Sequence, residues 1–235
     1  MTAAKEKGVP DCGTLRIITC PAGELLRTLD RKVLFRSRWK MRKGGDAYLD
    51  HLLREQPPEK LPAARAVYGY FPCRREGAVL RVGERYAWKF PGTQKGAAGV
   101  IRHWAENTEH CIAVTALTLG DAAAEHMSAL YDKGDYAEYF LFHGLAAELT
   151  ETFARRIEKG IAGEWGLSVL RRSFGHPGYP ELSSQGDILE LLDAAAIGIR
   201  MTPEGQLMPE FSSTAVIIPA AAGTKHKGQG SHEQG

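Results

Sequence analysis

The sequence has few of the features that announce a chemistry by spacing alone. Its four cysteines, Cys12, Cys20, Cys73 and Cys111, are scattered without a CxxC pair, and its eight histidines form no HxxxH pair. Neither a structural zinc site nor a disulfide framework is expected, and the cysteines read as buried or surface thiols. No apolar run approaches the roughly 20 residues that span a bilayer. The opening MTAAKEKGVPDCG lacks the apolar core of a secretion signal, so the cytoplasm is the expected location. A formal net charge of +2 gives no global field toward nucleic acid or membrane, and neither is expected as a partner. No GxGxxG follows a strand and opens a helix, and the Gly-rich Pro91-Gly92-Thr93-Gln94-Lys95-Gly96 lacks phosphate-loop spacing. There is no GxSxG elbow and no HExxH. No catalytic residue and no metal ligand is assigned.

What is present fits one globular domain of moderate size. At 235 residues, 43% hydrophobic and 25% charged, the chain has an ordinary soluble composition. Leu15 to Ile18 reads as a short strand. Glu24 to Lys43 has helical periodicity through Leu25, Leu26, Leu29, Val33, Leu34 and Trp39. Ala47 to Arg54 continues that character, and residues 56–62 (QPPEKLP) break it. Ala66 to Phe71 is a strand closed by Pro72, and residues 79–82 and 86–90 alternate as further strands of a meander. Cys111 to Leu119 is another strand. Helices are expected over 121–132, with Asp121 as N-cap, over 134–158, and from Ser183 through Ala196. Thr214 to Ile218 is a late strand. Strands and helices do not alternate as in a doubly wound sheet, so the expected class is α+β: a single domain with an antiparallel sheet and flanking helices. The expected limits are a flexible terminus over residues 1–14, the domain over 15–218, and a small, polar, Gly-rich flexible tail over 219–235.

Three places carry chemistry. The run Arg31 to Lys43 packs seven cations into thirteen residues around Phe35 and Trp39. It reads as the solvated face of an amphipathic helix or as a docking face for an acidic partner. Glu148 and Glu151, three apart on the long helix, can share a face, and a carboxylate there would suit the ammonium of an amino-acid ligand. Arg171 and Arg172 open a turn in which Gly175 and Gly178 permit positive φ and Pro177 and Pro180 stiffen the chain. A guanidinium beside tightly turned backbone suits a carboxylate or phosphate, although two solvent-facing arginines before a connecting loop would look the same.

Five segments in order resemble the activation domain of cobalamin-dependent methionine synthase. They are residues 29–39 (LDRKVLFRSRW), 67–73 (VYGYFPC), Phe90-Pro91, the HGLxxExxE pattern from His143 to Glu151, and the pair Arg171 to Pro180 with Ile197 to Ala215. Together they span roughly residues 24–218. The resemblance implies a bent antiparallel sheet with flanking helices. It implies a module that binds S-adenosylmethionine (SAM) and supports one-electron reduction and remethylation of cob(II)alamin. The cobalamin would be held by a partner, a corrinoid-binding methionine synthase subunit, with a one-electron donor such as a flavodoxin. On this view the chain is a stand-alone component and not a complete enzyme, because no DxHxxG cobalamin motif is present. By position, Arg171 matches the arginine that meets the SAM carboxylate, Glu151 a helix acid of the SAM groove, and Asp30 an acid that meets the amino or sulfonium end. Gly175 matches the turn glycine. His176 stands where the family usually has Tyr, and Tyr179 where it usually has Cys. After Ile218 the usual His-Pro and Lys-Tyr-Phe strand is replaced by PAAAGTKHKGQG. The alternative the departures suggest is a degenerate member that acts as a non-catalytic binding or assembly module for a corrinoid protein.

Overall fold

The computed structural model describes residues 11–55, 63–90, 101, 104, 106–177 and 179–220. The expected break at 56–62, the Gly-rich loop at 91–96 and most of both expected flexible ends lie outside the described residues. The centre is a seven-stranded sheet, and every strand pairing in it is antiparallel. Its strands are β1 (Leu15–Cys20), β2 (Ala64–Glu76), β3 (Val79–Val82), β4 (Tyr86–Lys89), β5 (Glu109–Thr118), β6 (Val169–Arg172) and the last strand, Ser212–Pro219, called β9 below. Two short strands, β7 (Arg200–Met201) and β8 (Leu207–Met208), form a separate hairpin around the Thr-Pro-Glu-Gly turn. The main order is β4-β3-β2-β5-β9-β6, with β1 also on β2.

Strand β2 organises the sheet. One of its edges pairs with β5 from Arg65 to Arg74. The other edge pairs first with β1, from Ala64 to Gly69, and then with β3, from Cys73 to Glu76. The expected stop at Pro72 is therefore corrected: the strand runs through it. The Pro72 carbonyl accepts from Gly83 N–H at 3.0 Å, so its nitrogen faces the same edge. That position falls in the gap between β1 and β3, where a missing N–H costs no ladder bond.

The helices bounded by described residues are α1 (Ala22–Thr28), α2 (Arg31–Val33), α3 (Gly45–Glu55), α4 (Asp121–Lys133), α5 (Tyr136–Trp165) and α6 (Gln185–Leu191). The single helix expected over 24–43 is broken. α1 ends at Thr28, Asp30 caps α2 by accepting from Val33 N–H at 3.0 Å, and α2 passes into a π-helical turn, Leu34–Arg38. Lys40 at φ +56° then leaves the helix. Asp121 is the first residue of α4 and not its cap; Gly120 at φ +84° holds that position, its N–H bound to Thr118 Oγ1. The helix expected from Ser183 through Ala196 is divided by Asp193 at φ +46° into α6 and a 3-10 turn, Ala194–Ile197.

Both faces of the sheet are covered. Tyr68, Tyr70, Ala113 and Ile217 join Leu145, Leu149, Phe153 and Ile157 of α5 in one core. Val67, Phe71, Val114 and Val216 join Trp88, Phe174, Ile188 and Leu192 in the other. The split follows the two-residue alternation of strands. It explains the nearly continuous apolar run in β5, which is buried on both faces.

Candidate functional site

Arg171 sits on β6 opposite Ile217 of β9, so its side chain points toward α5. It is 13% exposed. Its Nε donates to Glu158 Oε2 at 3.0 Å, and its Nη2 donates to Glu151 Oε1. Glu151 and Glu158 are seven residues apart, two helical turns, and so lie on one stripe of α5. No hydrogen bond engages the third nitrogen, Nη1, among the described residues.

The pair belongs to a longer row. Arg155 Nη1 lies 3.8 Å from Glu151, and Arg155 Nη2 donates to Glu148 at 2.6 Å. Glu148 also accepts from Arg38 Nε at 3.3 Å, and its side chain is fully buried. Arg38, Glu148, Arg155, Glu151, Arg171 and Glu158 thus form one alternating line from the basic segment to the edge strand. Glu148 and Glu151 share a helix face as the spacing suggests, but they do different work. Glu148 ties α5 to the π-helical turn, while Glu151 meets Arg171.

The loop after Arg171 is anchored from below. Gly175 has φ +83°, which L side chains rarely adopt, and its N–H donates to Pro180 O at 2.7 Å. Tyr179 N–H donates to His176 O at 3.0 Å. Ser173 Oγ donates to Thr214 O of β9. Phe174 packs edge-on to Trp88 with ring centroids 5.0 Å apart, and Tyr179 lies 5.8 Å from Phe90. Phe174 and Tyr179 are both buried, whereas Gly175 and His176 are exposed. Trp88 Nε1 donates to Asp187 Oδ2 at 3.0 Å, which fixes α6 beside the same loop.

The structure therefore brings Arg171 and Glu151 into contact and sets Gly175 and His176 on the surface of the adjoining loop. Tyr179 is part of the core beneath that loop. Asp30 is exposed and occupied with capping α2, and no contact joins it to the Arg171 cluster among the described residues. Reading the sequence did not find Glu158 or Arg155 as partners. The available signal was the 3-4-3 spacing of Glu148, Glu151, Arg155 and Glu158, which marks one helix stripe. The strand β6 was also missed, because Val169–Arg172 is four residues long and gains its place only by pairing with β9.

No family model matches the chain. Its sequence is similar to methionine synthase of Mycobacterium tuberculosis, 27% identical over 244 residues covering 81% of this chain and 20% of that protein. It is similar also to methionine synthase of Mycobacterium leprae, 28% identical over 249 residues, covering 82% and 21%. The chain thus spans about a fifth of the length of these relatives. Among solved structures, the MetH reactivation domain bound to AdoHcy matches with a TM-score of 0.75 at 18% identity, over 91% of this chain and 80% of that one. The α+β class and the resemblance read from the five ordered segments are borne out: the chain has the fold of the methionine synthase reactivation domain and resembles methionine synthase in sequence.

Proposed function

We propose that this chain is a SAM-binding reactivation module that supports reductive methylation of cob(II)alamin in cobalamin-dependent methionine synthase. The observation that carries the reading is the meeting of Arg171 and Glu151 beside a glycine-turned loop, in a fold whose solved relative was determined with AdoHcy bound. AdoHcy and SAM share the same amino-acid end. The residues fit such a ligand. Arg171 keeps Nη1 for a ligand carboxylate while Glu151 and Glu158 hold its other nitrogens in place. Glu151 offers a carboxylate to the ligand ammonium. Gly175 lets backbone approach closely, His176 supplies an exposed imidazole on the same loop, and Tyr179 holds that loop down from the core. Asp30 uses only Oδ1 in its cap, which leaves Oδ2 for the amino or sulfonium end.

When bound, SAM supplies a reactive methyl group, and the chain's part is to position it. The cobalamin would be held by a corrinoid-binding methionine synthase module. Lys32, Arg36, Lys40, Arg42 and Lys43 are exposed and have no ion-pair partner among the described residues. A cavity of about 350 Å³ opens between Arg36, Lys40, Met41 and Arg42. This face suits an acidic one-electron donor such as a flavodoxin, steered by charge.

SAM titration by calorimetry tests the reading. Arg171→Ala should weaken binding about 10- to 100-fold, the effect of losing a hydrogen bond to a charged group. Unchanged affinity in a folded variant overturns the site assignment. A cob(II)alamin remethylation assay with a methionine synthase lacking its activation domain tests the role. A second reading, a binding or assembly module without SAM, is favoured by the two carboxylates already on Arg171 and by His176 in the usual Tyr position. Complex formation with the corrinoid protein without measurable SAM binding selects it.

A further inference from the structure

The four cysteines are free, and two of them meet. Cys12 Sγ lies 3.7 Å from Cys111 Sγ, across 99 residues of sequence. Cys111 is on β5 opposite Pro72 of β2, on the face that carries α5. Cys12 lies just before β1. There Gly13, at φ +84°, turns the chain and donates its N–H to Tyr70 O at 2.7 Å. That bond fixes the backbone beside Cys12 against β2. Cys12 is exposed, and Cys111 is half-buried. The other two thiols face elsewhere. Cys73 follows Pro72, so it emerges on the opposite face of the sheet, in the other core. Cys20 is buried at the far end of β1, its Sγ accepting from Arg156 Nη1 at 3.2 Å.

We propose that Cys12 and Cys111 are a redox-responsive modification site that closes to a disulfide when the chain meets a small-molecule disulfide. The two sulfurs must close from 3.7 Å to about 2.05 Å, and the Gly13–Tyr70 bond holds the chain beside Cys12 next to β2 while they do so. Cys12, the exposed thiol, attacks first. Its thiolate breaks the S–S bond of oxidised glutathione, forms a mixed disulfide and releases one glutathione thiolate. Cys111 then gives up its proton and attacks Cys12 Sγ, and the second glutathione leaves. Two protein thiols are oxidised, and one small disulfide is reduced to two thiols. The order follows from environment: burial, and then the neighbouring Cys12, push the Cys111 thiol up to about 12, which leaves little thiolate for a first attack. Closure staples the segment before β1 to the central strand β5.

The test uses the full chain, reduced and then incubated with oxidised glutathione, followed by thiol titration and peptide mapping of the alkylated product. The expected result is loss of two of the four thiols, no retained glutathione, a Cys12–Cys111 peptide and an upward shift in Tm. Cys20→Ser and Cys73→Ser should leave this outcome unchanged. Cys111→Ser should stop at a glutathione adduct on Cys12, and Cys12→Ser should give no cross-link. The mapping of the unaltered chain needs no variant to fold. A persistent Cys12–glutathione adduct, a cross-link that includes Cys20 or Cys73, or no loss of thiols would overturn the proposal.

Discussion

Glu148 shows why an ion pair cannot be judged from its contacts alone. Its carboxylate is sealed inside the protein, while Arg38 and Arg155 are each more than a third exposed. Burying the carboxylate costs desolvation, and two guanidiniums offset it. Removing the charge and removing its partners should therefore differ. Glu148→Leu should leave stability within about 1–2 kcal/mol of the parent, because two half-solvated arginines return to water and the cavity is refilled. Arg38→Ala with Arg155→Ala should cost roughly 3–5 kcal/mol, because a buried carboxylate is left alone. Urea unfolding of both variants checks the asymmetry, and equal losses would refute it. At the other end of the row, Glu158 touches Arg171, so under the proposed function it would act on SAM only through that arginine. Glu158→Gln should weaken SAM binding by roughly 3- to 10-fold, with a small change in Tm, as expected for a weakened support. A full loss of binding equal to that of Arg171→Ala would mean that Glu158 touches the ligand itself.

Elements far apart in the sequence are matched to one another. Trp39, at the end of the π-helical turn, donates Nε1–H to Leu141 O of α5 at 2.8 Å and lies against Gly144. A Cβ on Gly144 would come within 2.6 Å of the Trp39 ring. Gly144→Ala should therefore displace Trp39 and cost about 1–3 kcal/mol, the usual effect of overpacking. Trp39→Phe should cost about 1 kcal/mol from the lost hydrogen bond. Chemical denaturation measures both, and a neutral Gly144→Ala would show that the turn gives way freely. The tryptophan of the opening segment and the His-Gly-Leu of the long helix were legible through the family resemblance, and the structure puts the two in contact. Strands β2 and β5 were legible from their β-branched and aromatic runs. The strand through Pro72 was not, because it depends on where β1 ends and β3 begins on the neighbouring edge. The role of Glu158 was hidden for the same reason: its partner Arg171 faces α5 only after β6 has paired with β9.

At the scale of the molecule, α5 is the element that ties the domain together, and its ties respond to acid. Its first turn reaches α3 through Glu138 and His51 at 2.8 Å, and Phe142 packs edge-on to His126 of α4 at 4.5 Å. Its last turn reaches β1 and β2: Glu164 accepts from Tyr70 at 2.7 Å, from Tyr68 at 3.1 Å and from Arg16 at 2.6 Å. Burial, and then nearby Lys133, hold His126 below its ordinary value of 6.5. For Glu164, burial alone would raise the carboxyl, but the hydrogen bonds from Tyr70 and Tyr68 and the Arg16 charge outweigh it and hold it below 4.5. Both groups are depressed in the folded state. Each therefore adds stability above its unfolded value and loses it as pH falls through its folded value. Stability should decline in two stages on acidification, the first beginning below 6.5 as His126 is forced to charge, the second below 4.5 as Glu164 is protonated. His126→Gln should remove the first stage and keep the second, and Glu164→Gln should do the reverse. Urea midpoints of the three chains across this range decide the matter: a first stage that survives His126→Gln would assign it to another group, and a second stage that survives Glu164→Gln would mean that the α5 terminus is not where acid opens the fold.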